Sequence, residues 1–527
     1  MVAILLIVTV LGLIFAESAL AVTRTYNLYA TDTYVAMADG TIVYCYGFVG
    51  GEAGVPLTYQ NSMKPPKGVI AGGNTTIAGG APNPAPGPMT LAEQQLFGNA
   101  QFPAPVIYAA VDDVVEIRLK NLGVSTKTAP NDPHTIHLHG LDVSAANDGV
   151  PETSLAAVPA NAGKGTPGAG NVVVYMFAPE YAGTYMYHCH QEADIHVQMG
   201  MYGALVVYNP SDPAYVAGLD DATGNADGKL GGPGQGNGGS LYGWDYDKDY
   251  VFLLSEFDLG QHVAEQFAGA RGGYNPVNYK PQYWFINGLS FPNTIHAGVG
   301  FNWATWFASH PNYDPFIVGS LAGGTSAPAG EQVLLRVINM GFQTQPMHMH
   351  GYHAKVIGSD QRAWPWTYIS GLNSYGDGLE KNTLTVGSGE TYEWIIDFSQ
   401  QKLATGRYDA VTGTQTVSAL ARTQSRYDPL TLAPRDNTAV WPATTKYYPA
   451  IPDMFVPGFA YIGGPVVGPL SQADQGFMDA AGALPALPPE LPITTGQYFP
   501  FHNHDDYKAT NNGVYPGGQF TMIMTQP

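Results

Sequence analysis

Residues 188–190 read His188-Cys189-His190. Along an extended strand, side chains i and i+2 share one face and i+1 takes the other. Two imidazoles therefore point one way and a thiolate the opposite way from one short piece of backbone. Both groups are metal ligands, so the tripeptide can join one metal centre to a second. Three more His-x-His pairs are present: His137/His139, inside His134-Thr135-Ile136-His137-Leu138-His139, then His348/His350 and His502/His504. In the last pair Asn503 stands where the earlier one has its cysteine. Histidine is 14 of 527 residues, and random placement would give about 0.4 such pairs. Four pairs, two in each half, are not coincidence.

The residues around Cys189 narrow the metal. His196 and Met201 follow it, and His134 precedes His137 by three positions. Two histidines, one cysteine and a weak axial methionine form the blue-copper electron-transfer set. Zinc takes four strong ligands and has little use for Met201. A Cys–His–Met order on one loop, with the other histidine from an earlier strand, is the cupredoxin arrangement. The second cysteine, Cys45, lies in Thr41-Ile42-Val43-Tyr44-Cys45-Tyr46 and reads as a buried strand thiol without a chemical role.

The elements that must hold these residues are strands. Apolar residues make up 45% of the chain and charged ones 12%, with 64 Gly and 41 Pro, a turn-rich globular composition. Strand-like runs recur in two matching series. The first runs through 111–121, 172–177 and 183–187 into the second histidine pair. The second runs through 283–288, 333–339 and 392–398 to His502/His504. This is an internal duplication, and it predicts an all-β protein of two cupredoxin-like Greek-key β-sandwich domains, 22–210 and 248–527. A Gly-rich linker is expected over 211–247. Residues 50–90 and 400–496 read as insertions. Val2–Phe15 and Ala19-Leu20-Ala21 read as a signal peptide over 1–21, so export to the periplasm, cell surface or medium is expected. The net charge of −20 argues against a nucleic-acid partner.

With these motifs in view, the chain resembles the multicopper oxidases, and the likeness covers most of both halves. That family joins a type 1 copper to a trinuclear cluster of one type 2 and two type 3 coppers, held by four His-x-His pairs. The resemblance implies type 1 ligands His134, Cys189, His196 and Met201. It implies cluster ligands His137, His139, His188, His190, His348, His350, His502 and His504. Asp148, in Asp148-Gly149-Val150-Pro151, matches a family acidic residue near the cluster and is expected to relay protons. Three-domain laccases carry the type 1 site in their last domain, whereas here it falls in the first. Gln345 and Asn503 take the places of His134 and Cys189 in the second copy, so no second blue site is expected. This pattern resembles the two-domain oxidases, which assemble as homotrimers with each cluster between domain 1 of one subunit and domain 2 of the next.

The expected activity is one-electron oxidation of a phenol-like or metal-ion reductant at type 1 copper, coupled to reduction of O₂ to water. The reductant is expected to deliver its electron near His196. Two alternatives stay open: a copper-containing nitrite reductase, which needs only three histidines at a mononuclear site, and a non-catalytic copper-binding surface protein. His262, His296, His310 and His353 show no ligand spacing.

Overall fold

A computed structural model describes residues 22–53, 91–159, 171–213, 215, 238–268, 273–295, 314–320, 330–364, 379–398, 406–409, 414–417, 498–514 and 517–526. The expected signal peptide, most of the two insertions and His296 and His310 lie outside them.

The first half is built from β1 (Thr23–Ala36), β2 (Ile42–Glu52), β3 (Ala104–Ala110), β4 (Val114–Gly123), β5 (His137–His139), β6 (Val172–Phe177), β7 (Gly183–His188) and β8 (Tyr202–Tyr208). These form two four-stranded sheets, ordered β2-β1-β4-β6 and β3-β8-β7-β5. A small hairpin follows, β9 (Gly239–Leu241) with β10 (Trp244–Tyr246). Where it is described, the expected linker is structured: Leu241 and Tyr246 bury against Leu334, Ile357 and Ile395, and the Tyr215 hydroxyl donates to Asp113 Oδ2 at 2.6 Å.

The second half contains β11 (Lys248–Phe257), β12 (Tyr283–Ile286), β13 (Ile317–Ser320), β14 (Gln332–Asn339), β15 (Gln345–Met349), β16 (Ala354–Ser359), β17 (Arg362–Ala363), β18 (Leu379–Lys381), β19 (Thr383–Val386), β20 (Thr391–Asp397), β21 (Gly406–Asp409), β22 (Thr414–Val417), β23 (Tyr498–Asn503) and β24 (Phe520–Gln526). One sheet runs β12-β11-β14-β20-β16-β17 and the other β13-β24-β23-β15-β19.

The duplication is visible in the pairing. β1 lies parallel to β4 and β4 antiparallel to β6, as β11 lies parallel to β14 and β14 antiparallel to β20. In the other sheets β3∥β8, β8–β7 and β7–β5 repeat as β13∥β24, β24–β23 and β23–β15. The fold is mostly β, in two sandwiches, as expected from the sequence.

Alternation of burial sets the face each histidine takes. In β5 Leu138 is buried and His137 and His139 lie on the other face, half-buried. In β15 Gln345, Met347 and Met349 face the core and His348 does not. A slip of one residue would drive imidazoles into the core and expel Leu138 or Met347, so the apolar neighbours fix the register.

The two halves share packed surface. One core cluster joins Val35, Cys45, Phe102 and Val197 to Val251, Phe257 and Phe285, with the rings of Phe102 and Phe257 4.7 Å apart. Helix Leu259–Ala268, which strand periodicity did not announce, is capped by Asp258, whose Oδ1 accepts from Gly260 N–H at 2.8 Å. It lies against the loop that carries His196: Gln261 donates to the Asp194 carbonyl at 2.8 Å, and Gln198 donates to the Glu256 carbonyl at 2.7 Å.

Candidate metal centres

β7 ends at His188, and the chain then turns through Cys189 into the short helix Ala193–His196. Met201 closes the loop: Cys189 N–H donates to the Met201 carbonyl at 3.0 Å and Met201 N–H to the His196 carbonyl at 3.0 Å. His134 arrives from before β5, held by a two-bond bridge with Ala157. Cys189 Sγ lies 3.3 Å from His196 Nδ1 and 3.7 Å from His134 Nδ1. Cys189, His196 and Met201 are fully buried and His134 nearly so. The ligand-capable atoms of His134, Cys189 and His196 all lie within 4.8 Å of one another.

Both imidazoles turn Nδ1 to the sulfur, and Thr135 N–H donates to it at 3.4 Å, as suits a thiolate. Burial pushes the Cys189 thiol up to about 12 and holds His196 down to about 3. Neutral imidazoles are the metal-binding form, and a cation here compensates the buried thiolate. The donor set therefore fits copper: two nitrogens and a sulfur around one point, in an apolar shell, with Met201 on the same loop.

On the opposite face of the same backbone, the strand register sets His137 across from His188, and their rings are 5.0 Å apart. His139 and His190 complete a group of four, with centroids 5.6 and 5.2 Å from that of His137. The second half repeats this. His348 pairs with His502 in register, and His350 and His504 lie 4.9 and 5.0 Å from His348. His350 Nε2 and His502 Nε2 converge to 3.0 Å.

The outer nitrogens match as well. His188 Nδ1 is 3.0 Å from the Cys189 carbonyl, and His502 Nδ1 is 2.8 Å from the Asn503 carbonyl. His137 Nδ1 meets the Asp148 carbonyl at 2.8 Å and its carboxylate at 3.1 Å. His348 Nδ1 meets Thr383 Oγ1 at 2.8 Å. In each of these four histidines Nδ1 is engaged, leaving Nε2 for a metal. Desolvation lowers His188 to about 3 and His350 to about 4.

All twelve sequence-derived metal residues thus fall into three groups: one type 1 set and two four-histidine sets. Among the described residues, ring contacts join histidines within each set and none joins the sets. His350 and His504 are exposed. His139 Nε2 faces the second half, but what it meets there is Gly389, where an added Cβ would sit 3.5 Å away.

The place of the missing second blue site is filled by amides. Asn503 Nδ2 donates to Gln345 Oε1 and Gln519 Oε1, each at 2.7 Å. Gln345 Nε2 donates to Glu256 Oε2 at 2.7 Å, and Glu256 Oε1 accepts from Tyr279, Phe342 N–H and Gln343 N–H. Gln345, Asn503 and Gln519 are fully buried. Sequence reading anticipated Gln345 and Asn503 but not Glu256, Gln519 or Thr383. These come from other strands, and only the fold brings them to the site. Cys45 is a fully buried strand thiol, as read, 3.9 Å from the core histidine His262.

The family pattern described as multicopper oxidase matches residues 79–211 and 317–402. Copper resistance protein A of Pseudomonas syringae pv. tomato is 33% identical over 110 residues, which span 21% of this chain and 15% of that protein. Multicopper oxidase MCE of Talaromyces pinophilus is 35% identical over 133 residues, 25% of this chain and 18% of that one. Among solved structures, the blue copper oxidase from Nitrosomonas europaea aligns over 95% of this chain and 86% of its own, with a TM-score of 0.46 and 18% identity.

Proposed function

We propose that the chain, which matches the multicopper oxidase pattern over residues 79–211 and 317–402, is a copper-dependent oxidase of that family that reduces O₂ to water. One-electron oxidation of a reductant takes place at the type 1 set, His134, Cys189, His196 and Met201. O₂ is reduced at a trinuclear site of eight histidines, assembled between domain 1 of one subunit and domain 2 of its neighbour in a homotrimer. Bound copper supplies the one-electron redox chemistry at the first site and the four-electron reduction of O₂ at the second, one copper at the first and three at the second.

The observation that carries this reading is the buried His₂Cys set joined, through one tripeptide, to one of two four-histidine groups that share no ring contact among the described residues. Four histidines cannot enclose three metals, and His350 and His504 are exposed at the surface, where a second subunit can reach them. The residues themselves do three things. His188-Cys189-His190 gives a covalent path of a few bonds between the two faces of one strand end. The apolar shell around Cys189 excludes water from the thiolate. Asp148 holds His137 by its Nδ1 and, half-exposed, is placed to pass protons inward from solvent. Export, with loss of residues 1–21, belongs to the same reading and rests on the apolar N-terminal run.

Oxygen uptake by the copper-loaded protein tests it. Four equivalents of reductant should be consumed per O₂ with water as product. Release of hydrogen peroxide, or turnover of nitrite without O₂ uptake, would reject it.

A further inference from the structure

The two copies of the sandwich differ on one face. In both, a buried carboxylate clamps the loop that leads to the metal position. Asp32 on β1 accepts from the Ser125 and Thr126 N–H groups at 2.8 and 3.3 Å. Glu256 on β11 accepts from those of Phe342 and Gln343 at 2.6 and 3.0 Å. The residue opposite this acid in register is Tyr46 in the first copy and Trp284 in the second. Tyr46 is covered: its ring lies 5.6 Å from that of His196, and its hydroxyl donates to Glu265 of helix Leu259–Ala268 at 2.9 Å.

The clamped loops differ too. Asn121 Nδ2 donates to the carbonyl of Asp132, 11 positions on, whereas Asn339 Nδ2 donates to that of Gln343, 4 positions on. The shorter second loop builds less wall. Beside Trp284 stands a cavity of about 440 Å³, a volume typical of small-molecule pockets. Tyr279, Trp284 and Tyr507 give it aromatic surface, and Lys280 and Lys508 reach it with their ammonium groups. The Tyr279 hydroxyl is fixed on Glu256 at 2.8 Å, and Trp284 Nε1 donates to Gln343 Oε1 at 3.4 Å. Tyr507 is 66% exposed, a large ring left open to a ligand. Lys508 Nζ donates to the Thr344 carbonyl at 2.8 Å and lies 3.7 Å from Asp505, which leaves it donors to spare. Two ammonium groups thus meet one carboxylate here, a cationic spot on a chain of net charge −20.

We propose that this cavity binds an aromatic carboxylate, with its ring against Trp284 and Tyr507 and its charge held by Lys280 and Lys508. A flat ring gains from offset or edge contact with the aromatic walls, and a carboxylate makes charge-assisted hydrogen bonds to ammonium groups. An inorganic anion would leave the rings unused, and a neutral ring would leave the lysines unused. Behind the wall Glu256 meets Gln345 and Asn503 rather than a thiolate, so binding here involves no type 1 copper. The site goes beyond the oxidase reading and does not depend on it.

Calorimetric titration of the copper-loaded full-length protein with benzoate tests it, with benzyl alcohol as the uncharged control. Wild type should bind one benzoate per chain, and benzyl alcohol at least about tenfold more weakly, the loss expected for a charge-assisted contact. Lys280→Gln and Tyr507→Ala change exposed side chains and should each weaken benzoate severalfold. Cys189→Ser should bind benzoate as wild type does, because the cavity lies in the other copy. No binding of benzoate by wild type, equal binding of benzyl alcohol, unchanged binding in both surface variants, or loss of binding in Cys189→Ser would overturn the site. Failure of the oxidase reading looks different: O₂ uptake would be absent while benzoate still bound.

Discussion

Replacing Glu393 by glutamine should change how stability depends on pH. Glu393 lies on β20 in the second sandwich, is fully buried, and accepts from Thr184 N–H of β7 at 2.9 Å, across the contact between halves. Burial raises its carboxyl from 4.5 to about 7, against the partial relief given by Thr184 and Arg336. Because the folded value is the higher one, the contribution is complete below pH 4.5. It is lost as pH rises towards 7, where the unfolded chain releases its proton first. The gap corresponds to roughly 3 kcal/mol at about 1.4 kcal/mol per pH unit. Glu393→Gln keeps an oxygen for Thr184 and has no proton to lose. The stability of wild type relative to E393Q should therefore fall by roughly 3 kcal/mol between pH 4 and 8, or several degrees in Tm at about 2–4 °C per kcal/mol for domains of this size. Thermal melts of both proteins across that range read it directly, since other titrations cancel in the difference. A wild-type-minus-variant gap that stays constant from pH 4 to 8 would refute the assignment.

Other substitutions separate the sites. Cys189→Ser should abolish the blue absorption and drop O₂ uptake to background while the histidine half-sites still take up copper, as metal analysis and spectroscopy would show. Asp148→Asn leaves the carbonyl on His137 Nδ1 but weakens its second partner, and should lower copper affinity or turnover by about tenfold. Asn503→Ala strands the buried oxygens of Gln345 and Gln519, and should cost about 1–3 kcal/mol in unfolding experiments. Phe102→Ala opens the contact with Phe257 between the halves and should cost about 3–5 kcal/mol.

Much of this protein was legible in the sequence because its chemistry follows strand periodicity. Alternation sends His188 one way and Cys189 the other, and it pairs His137 with His139 across buried Leu138. The runs at 172–177 and 183–187 fall on β6 and β7 because valines and tyrosines fit a pleated, buried surface. Contacts between distant segments were not legible. Nothing local to Glu256 says that it will meet Gln345, 89 positions on, and the acids two positions before His134 and two after His190 come near His196 only in the fold. The helix over 259–268 was missed because its buried face is set by the loop it covers. The grouping of the eight histidines into two sets of four is likewise a property of the folded chain, not of the motif list.

The most direct measurement is copper per chain together with the mass of the copper-loaded particle in solution. Four coppers per chain in a trimer is the expected result, with three of the four lost when the trimer is dissociated. Two coppers per chain would point to a mononuclear site of the nitrite reductase kind, and a monomer holding all four would contradict a cluster built from the half-sites of two subunits.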